Sequence, residues 1–243
     1  MKLCCLAFIL FITPLIGTAA EENPYIAAGV PACDRAWLGQ DYVDTFEIIS
    51  TGKAPLPMLN DPQGKRVLQR LTNEENFGLH RNKSLPTAQR LSDFSKLQQA
   101  LNSIFKLYIV EANKGKKVNA EAAIMMAFTM KNFALSIDLA NEFLVTVPKD
   151  ENNEVRNQGV RQMYGGLMIS FSGAETSLGE TKFYTPADLT LIIQAMRSTL
   201  PTMLQAFTPD YKLELKGKLT KRKAQFAGED LAALEDMIQI LSR

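Results

Sequence analysis

The sequence predicts an all-α chain: a single-domain multi-helix bundle of about seven to nine helices, behind a cleaved signal peptide. Three observations predict it. Apolar residues recur at spacings of three and four over most of the chain. Helix-opening pairs, Asp61-Pro62, Thr185-Pro186 and Thr208-Pro209, punctuate it. No stretch alternates apolar and polar residues as a half-buried strand does.

The first element is the signal. Lys2 supplies a basic start, Leu3 to Ile16 an apolar stretch, and Gly17 to Ala20 small residues for the cut, placed after Ala20. The apolar stretch is shorter than the roughly 20 residues that span a bilayer, which favours cleavage over anchoring. Residues 21–243 are then one exported helical domain, periplasmic or secreted, with no transmembrane segment of its own. Removing residues 1–20 removes Lys2 and leaves 26 basic and 26 acidic residues. A neutral chain has no global attraction to nucleic acid or to an anionic membrane, so binding of that kind needs a local patch. Cys4 and Cys5 leave with the signal, and Cys33 remains alone. Without a disulfide the domain rests on its core, and burial is the expected fate of the thiol. So few cysteines in an exported chain favour a bacterial periplasm.

Residues 21–60 read as a loop-rich lead-in, marked by Pro24, Gly29, Pro31 and Gly39, with one short helix from Asp41 to Ser50. Tyr42, Phe46 and Ile49 share its apolar face. Asp61-Pro62 opens the next helix, lined by Val67, Leu68 and Leu71. Thr72 with Glu75 has the spacing of a capping box for a further turn. His80 to Ser84 reads as polar.

Residues 86–178 supply the central helices. The first runs from Pro86 to about Ala112, with Leu91, Phe94, Leu97, Leu101, Ile104, Phe105 and Tyr108 on one stripe and Arg90, Asp93, Lys96, Gln99 and Lys106 away from it. The second runs from Asn119 to about Val145. Ala122 to Met130 is apolar all round except Thr129, so this helix is expected to be buried on every side. The third spans Asn153 to Leu178. Gly159, Gly166 and Gly173 stand seven apart in it, with Ser170 on the same strip. Each glycine costs about 1 kcal/mol relative to alanine inside a helix, so close helix packing is the expected compensation, with a partner on the bare backbone as the alternative. Short connectors make these three an antiparallel unit. Residues 185–243 hold the C-terminal helices, opened at Thr185-Pro186, Thr208-Pro209 and Gly228, with Pro201 expected to break or kink the first.

Few residues invite chemistry. His80 is the only histidine, and with Cys33 it is the only soft ligand left, so no metal site and no cofactor are expected. His80 is a candidate general base, although no motif marks a nucleophile for it; the plainer expectation is a solvated or hydrogen-bonded turn histidine. Ser50-Thr51-Gly52-Lys53 has the Ser-x-x-Lys spacing of serine acyl-enzymes, but it closes a helix instead of opening one, and no Lys-Thr-Gly follows. Lys212, Lys216, Lys218, Lys221, Arg222 and Lys223 make one helix basic. That helix suits an anionic surface or an acidic partner, and lacks the interleaved aromatics that single-stranded nucleic acid needs. A solvated helix face explains the same charges.

One stretch, Tyr164-Gly165-Gly166-Leu167-Met168-Ile169, resembles the Tyr-Gly-Leu-Met-Gln-Ile segment of lysozyme-like lytic transglycosylases. In that family a catalytic Glu precedes the glycine by about fifteen residues, a spacing that Glu151 has from Gly166. The resemblance implies cleavage of cell-wall glycan, with Glu151 as the protonated acid. Asn152 stands where the family has Ser, and Ile169 where it has Gln.

A well-marked core without a catalytic constellation favours a non-enzymatic binding or interaction protein of the envelope, for example an immunity or inhibitor protein. The glycan-cleaving enzyme and a lipid or membrane-surface binder are the alternatives. A catalyst predicts a cleft where Glu151 or His80 lies beside polar groups; an inhibitor predicts an exposed apolar patch.

Overall fold

The computed structural model describes residues 23–146 and 154–243, and no strand occurs among them. The signal segment and Glu151 lie outside the described residues.

The described chain is all-α. After a single turn α1 (Pro24–Ala27) come α2 (Gly39–Ser50), α3 (Pro62–Leu71), a 3₁₀ turn (Glu74–Phe77) and a second single turn α4 (Gly78–Arg81). Three long helices follow: α5 (Thr87–Asn113), α6 (Asn119–Thr146) and α7 (Glu154–Ser177). The chain ends with α8 (Pro186–Met203), α9 (Pro209–Arg222) and α10 (Gly228–Ile240).

The expected caps form. Asp61 accepts hydrogen bonds from the Gln63 and Gly64 N–H groups, with Pro62 at the first helical position. Thr185 and Asp188 make a reciprocal capping box on α8, and Thr208 accepts from Tyr211 N–H on α9. Gly52 and Gly115 end α2 and α5 with φ of 75° and 82°, a conformation that favours glycine. Two local expectations change. The turn after α3 is capped by Asn73, which accepts from Glu75 N–H, because the Thr72 hydroxyl instead donates back to the Leu68 carbonyl. Pro201 does not end α8, which runs on to Met203.

Two hydrophobic clusters meet along α6. Met125, Phe128, Leu135 and Leu139 face the first, which gathers Trp37, Tyr42, Leu68, Phe77, Leu97 and Tyr108 from the N-terminal elements. Ala122, Ala127, Met130, Phe133 and Ile137 face the second, built with Phe171, Ile192, Met196, Leu200, Leu234 and Met237. This is the physical reason that α6 reads as apolar all round: it is the shared wall of two cores. By length and composition α6 is apolar enough to cross a bilayer, but 72% of that window is already buried inside the molecule.

The packing partner of α6 differs from the expected one. α6 lies most extensively against α8, then against α5, and touches α7 less; α5 packs on α2, and α8 on α10. Short connectors placed α7 next to α6 in sequence, but the longer apolar face belongs to α8, where Leu189, Ile192, Ile193, Met196, Leu200 and Met203 are all buried.

Candidate functional site

The most developed polar site lies where α4, the start of α5 and the second half of α6 converge. α4 is one turn long, and it turns His80 inward. The ring is 0% exposed and stands edge-on to Phe94, 5.3 Å between centroids. His80 Nε2–H donates to Asp93 at 2.9 Å. Burial pushes the imidazole pKa down, outweighing Asp93 and the Asn76 backbone, which favour the cation; Arg90 reinforces the burial. The Asp93 carboxylate also accepts from Gly39 N–H, at 3.0 and 2.9 Å from its two oxygens, so it caps α2 from a neighbouring helix. A Cβ on Gly39 would overlap the Asp93 carbonyl, which is why glycine starts α2.

Arg90 corrects the reading of α5. It was expected away from the apolar stripe, yet it is 1% exposed. Its guanidinium donates to the His80 carbonyl at 3.0 Å, to Thr87 Oγ1 at 3.2 Å and to Glu142 of α6, leaving Nε without a partner. A buried cation is tolerated only when paired and hydrogen-bonded. That pairing crosses 52 residues of sequence. Arg90 in turn holds the Glu142 carboxyl below the usual range.

Over this base opens a cleft of about 420 Å³, lined by Leu135, Asp138, Leu139 and Glu142 from α6 and by Arg81 and Lys83 from the end of α4 and the residues after it. Asp138 has no ion pair or hydrogen bond among the described residues, and partial burial raises its carboxyl pKa in spite of Lys83 and Arg81. A second hollow of about 330 Å³ continues along α6 toward α8, bounded by Glu74, Lys131, Ser198 and Thr199. Sequence reasoning found His80 but missed Arg90, Asp138 and Glu142. The i, i+4 spacing of the two carboxylates on α6 was the available signal.

The other candidates fare differently. His80 as a general base has its outward nitrogen spent on Asp93 and no solvent access, and it is hydrogen-bonded, not solvated. The basic stretch is α9 with Lys223 just after it, and three of its six charges are paired: Lys218 with Glu214, Arg222 with Glu175 and Lys223 with Glu235. Lys212, Lys216 and Lys221 make no ion pair among the described residues. Cys33 is free and half-buried, not in the core proper, and burial raises its thiol pKa.

Close helix packing at the α7 strip is corrected. A Cβ built on Gly159, Gly166 or Gly173 would meet nothing within 4 Å, and all three are exposed beside Ile169, itself 75% exposed. Ser170 donates to the Gly166 carbonyl within its own helix. The glycines that do permit close approach are Gly39, Gly64 and Gly179. A Cβ on Gly64 would lie 2.7 Å from Met58 N, and one on Gly179 would overlap the Arg222 guanidinium. No periodic pattern flags these three, because each sits at or near a helix end.

Among the described residues no group of three or more His, Cys, Asp or Glu is placed to hold a metal ion. Comparison with protein-family models, with curated proteins and with solved structures gave no match for this chain.

Proposed function

We propose that this chain is an exported, non-catalytic binding protein of the cell envelope, with its ligand site in the cleft along α6. One observation carries the reading: a fixed, buried Arg90 underlies an open cleft whose rim charges, Asp138 and Lys83, make no ion pair or hydrogen bond among the described residues. Groups held rigidly from below and free above are what a small-molecule site needs. The catalytic alternative draws no support from His80, whose ring hydrogen-bonds Asp93 and no hydroxyl or thiol among the described residues.

A thermal-shift series with low-mass fractions of envelope extract tests this. At a hundredfold excess over Kd a ligand stabilises by about 2.7 kcal/mol. For a domain of this size that raises Tm by roughly 5–10 °C. One fraction should shift the wild-type chain and leave Asp138→Trp, which fills the cleft mouth, unmoved. Equal shifts in both proteins, or none in the wild type, would remove the reading.

A second reading, an inhibitor-type contact with another protein, is favoured by α7. Its outer face from Gln162 to Thr176 carries Gly166, Ile169 and Gly173 and no charge, where a solvated helix face is normally charged. A photo-crosslinker at Ile169 should then trap one partner in the envelope, and dispersed or absent crosslinks would exclude it.

A further inference from the structure

Resting on the cleft as the binding site, we infer that its ligand is a small zwitterion: an amino acid or short peptide with a free ammonium and a free carboxylate. The α6 side carries carboxylates and the α4 side cations; Lys83 and Arg81 act on Asp138 through space, but no ion pair joins Asp138 to either of them among the described residues. Asp138 and Glu142 are one turn apart on α6, where like charges repel. Glu142 is relieved by Arg90; Asp138 has no such partner among the described residues. An ammonium group between the two carboxylates removes that imbalance.

The α4 side has the complementary need. Lys83 is exposed and makes no ion pair among the described residues. Arg81 lies over the Phe77 ring, 5.3 Å from its centroid, and makes a 3.5 Å contact with Glu74, whose other oxygen is held by Lys131 at 2.7 Å. These two cations suit a carboxylate. Leu135 and Leu139, 8% and 2% exposed, line the same cleft and offer apolar surface for a side chain. A cavity of about 420 Å³ lies in the range of small-molecule sites.

Single-sign ligands fit worse. A phosphate or dicarboxylate meets Asp138 and Glu142 across the cleft. A simple cation meets Lys83, Arg81 and the buried Arg90. Only a ligand bearing both charges satisfies both sides without leaving one desolvated and unpaired.

Titration calorimetry with L-alanyl-L-alanine tests the inference, beside its N-acetylated form, which keeps only the anion, and its C-terminal amide, which keeps only the cation. The free dipeptide should bind, and each blocked form about tenfold or more weakly, as expected for loss of one charge-assisted contact. Asp138→Asn should abolish discrimination against the acetylated form only, and Lys83→Gln discrimination against the amide only. Both side chains are exposed at the rim, so circular dichroism of the variants should match the wild type. Blocked forms that bind as tightly as the free dipeptide overturn the zwitterion. So does silence from all three probes while an extract fraction still raises Tm, a result that leaves the cleft itself standing. Silence from the probes and from every fraction removes both.

Discussion

The two cores on either side of α6 are held together by different means. On the N-terminal side, polar groups bridge long sequence distances in the interior. Asn76 accepts from Trp37 N–H at 2.8 Å and donates to Tyr42 Oη and to the Arg70 carbonyl, each at 2.7 Å. Tyr42 donates to the Leu71 carbonyl, Tyr108 to the Pro57 carbonyl, and Glu121 accepts from Leu59 N–H. On the C-terminal side the interior is built mainly from Leu, Ile, Met, Phe and Ala, and its long-range polar contacts, among them Arg197–Asp236, Thr190–Asp230, Arg222–Glu175 and Tyr211 to the Met168 carbonyl, are exposed or only part-buried. The difference follows from the backbone. A loop-rich lead-in buries N–H and C=O groups that no helix satisfies, so side chains must do so; regular helices satisfy their own. The cleft lies on the polar-stapled side, where rigidity comes from directional bonds.

If that contrast is right, the largest single effect comes from a polar deletion in the first core. Asn76→Ala strands the Trp37 N–H and removes one partner each from Tyr42 and from the Arg70 carbonyl, which keeps the Asn73 N–H. With about 1–3 kcal/mol for the stranded donor and about 0.5–1.5 kcal/mol for each of the two other lost hydrogen bonds, the loss is about 4 kcal/mol, read from the midpoint of urea unfolding. A loss under about 1 kcal/mol would mean that the staples contribute little.

In the second core the sensitive change is volume. Leu200 is fully buried between α8 and its neighbours, and Leu200→Ala should cost about 3 kcal/mol through lost transfer energy and a cavity. Thr199, next to it, bonds only the carbonyls of its own helix, so Thr199→Val should be close to neutral. Equal and large losses at both positions would break the contrast.

Much of this organisation was legible beforehand. Helix starts at Asp61, Thr185 and Thr208 were written in local chemistry, and the all-apolar first half of α6 announced a helix enclosed on every side. What stayed hidden depends on partners far away in sequence. Arg90 reads as a surface residue until Glu142 and the His80 carbonyl are brought to it. The α7 glycines illustrate the converse: a seven-residue spacing looks the same whether a helix packs on it or solvent does. The α6–α8 pairing was missed because connector length constrains which helices can be neighbours, whereas buried area decides which are.

Acidification sharpens the comparison further, because the first core holds the only histidine. Burial depresses the folded-state pKa of His80 below its ordinary 6.5. The unfolded chain therefore takes up the proton first. The stabilisation from the neutral ring is complete above about pH 6.5 and is lost as pH falls from there through the depressed folded value. Asp93 and the Asn76 backbone temper the loss, and Arg90 adds to it. Urea midpoints should fall between pH 7 and pH 5 in the wild type, with a shallower slope in His80→Gln. An identical slope in the two proteins would show that carboxylates alone set the pH response.

The smallest effect separates the glycines of the two halves, and it has opposite signs. Gly173 lies in the helical body of α7, is exposed, and has nothing within 4 Å of a modest side chain. Gly173→Ala should therefore stabilise by about 0.5–1 kcal/mol, since alanine removes backbone freedom from the unfolded chain and meets no obstacle in the folded one. Gly39→Ala, in the first core, must move α2 off the Asp93 carbonyl and so destabilises. If Gly173→Ala also destabilises the isolated chain, the strip is engaged within the molecule and cannot be a free face. If it stabilises the chain but weakens the contact trapped at Ile169, the cost of keeping glycine there is explained by what docks on it.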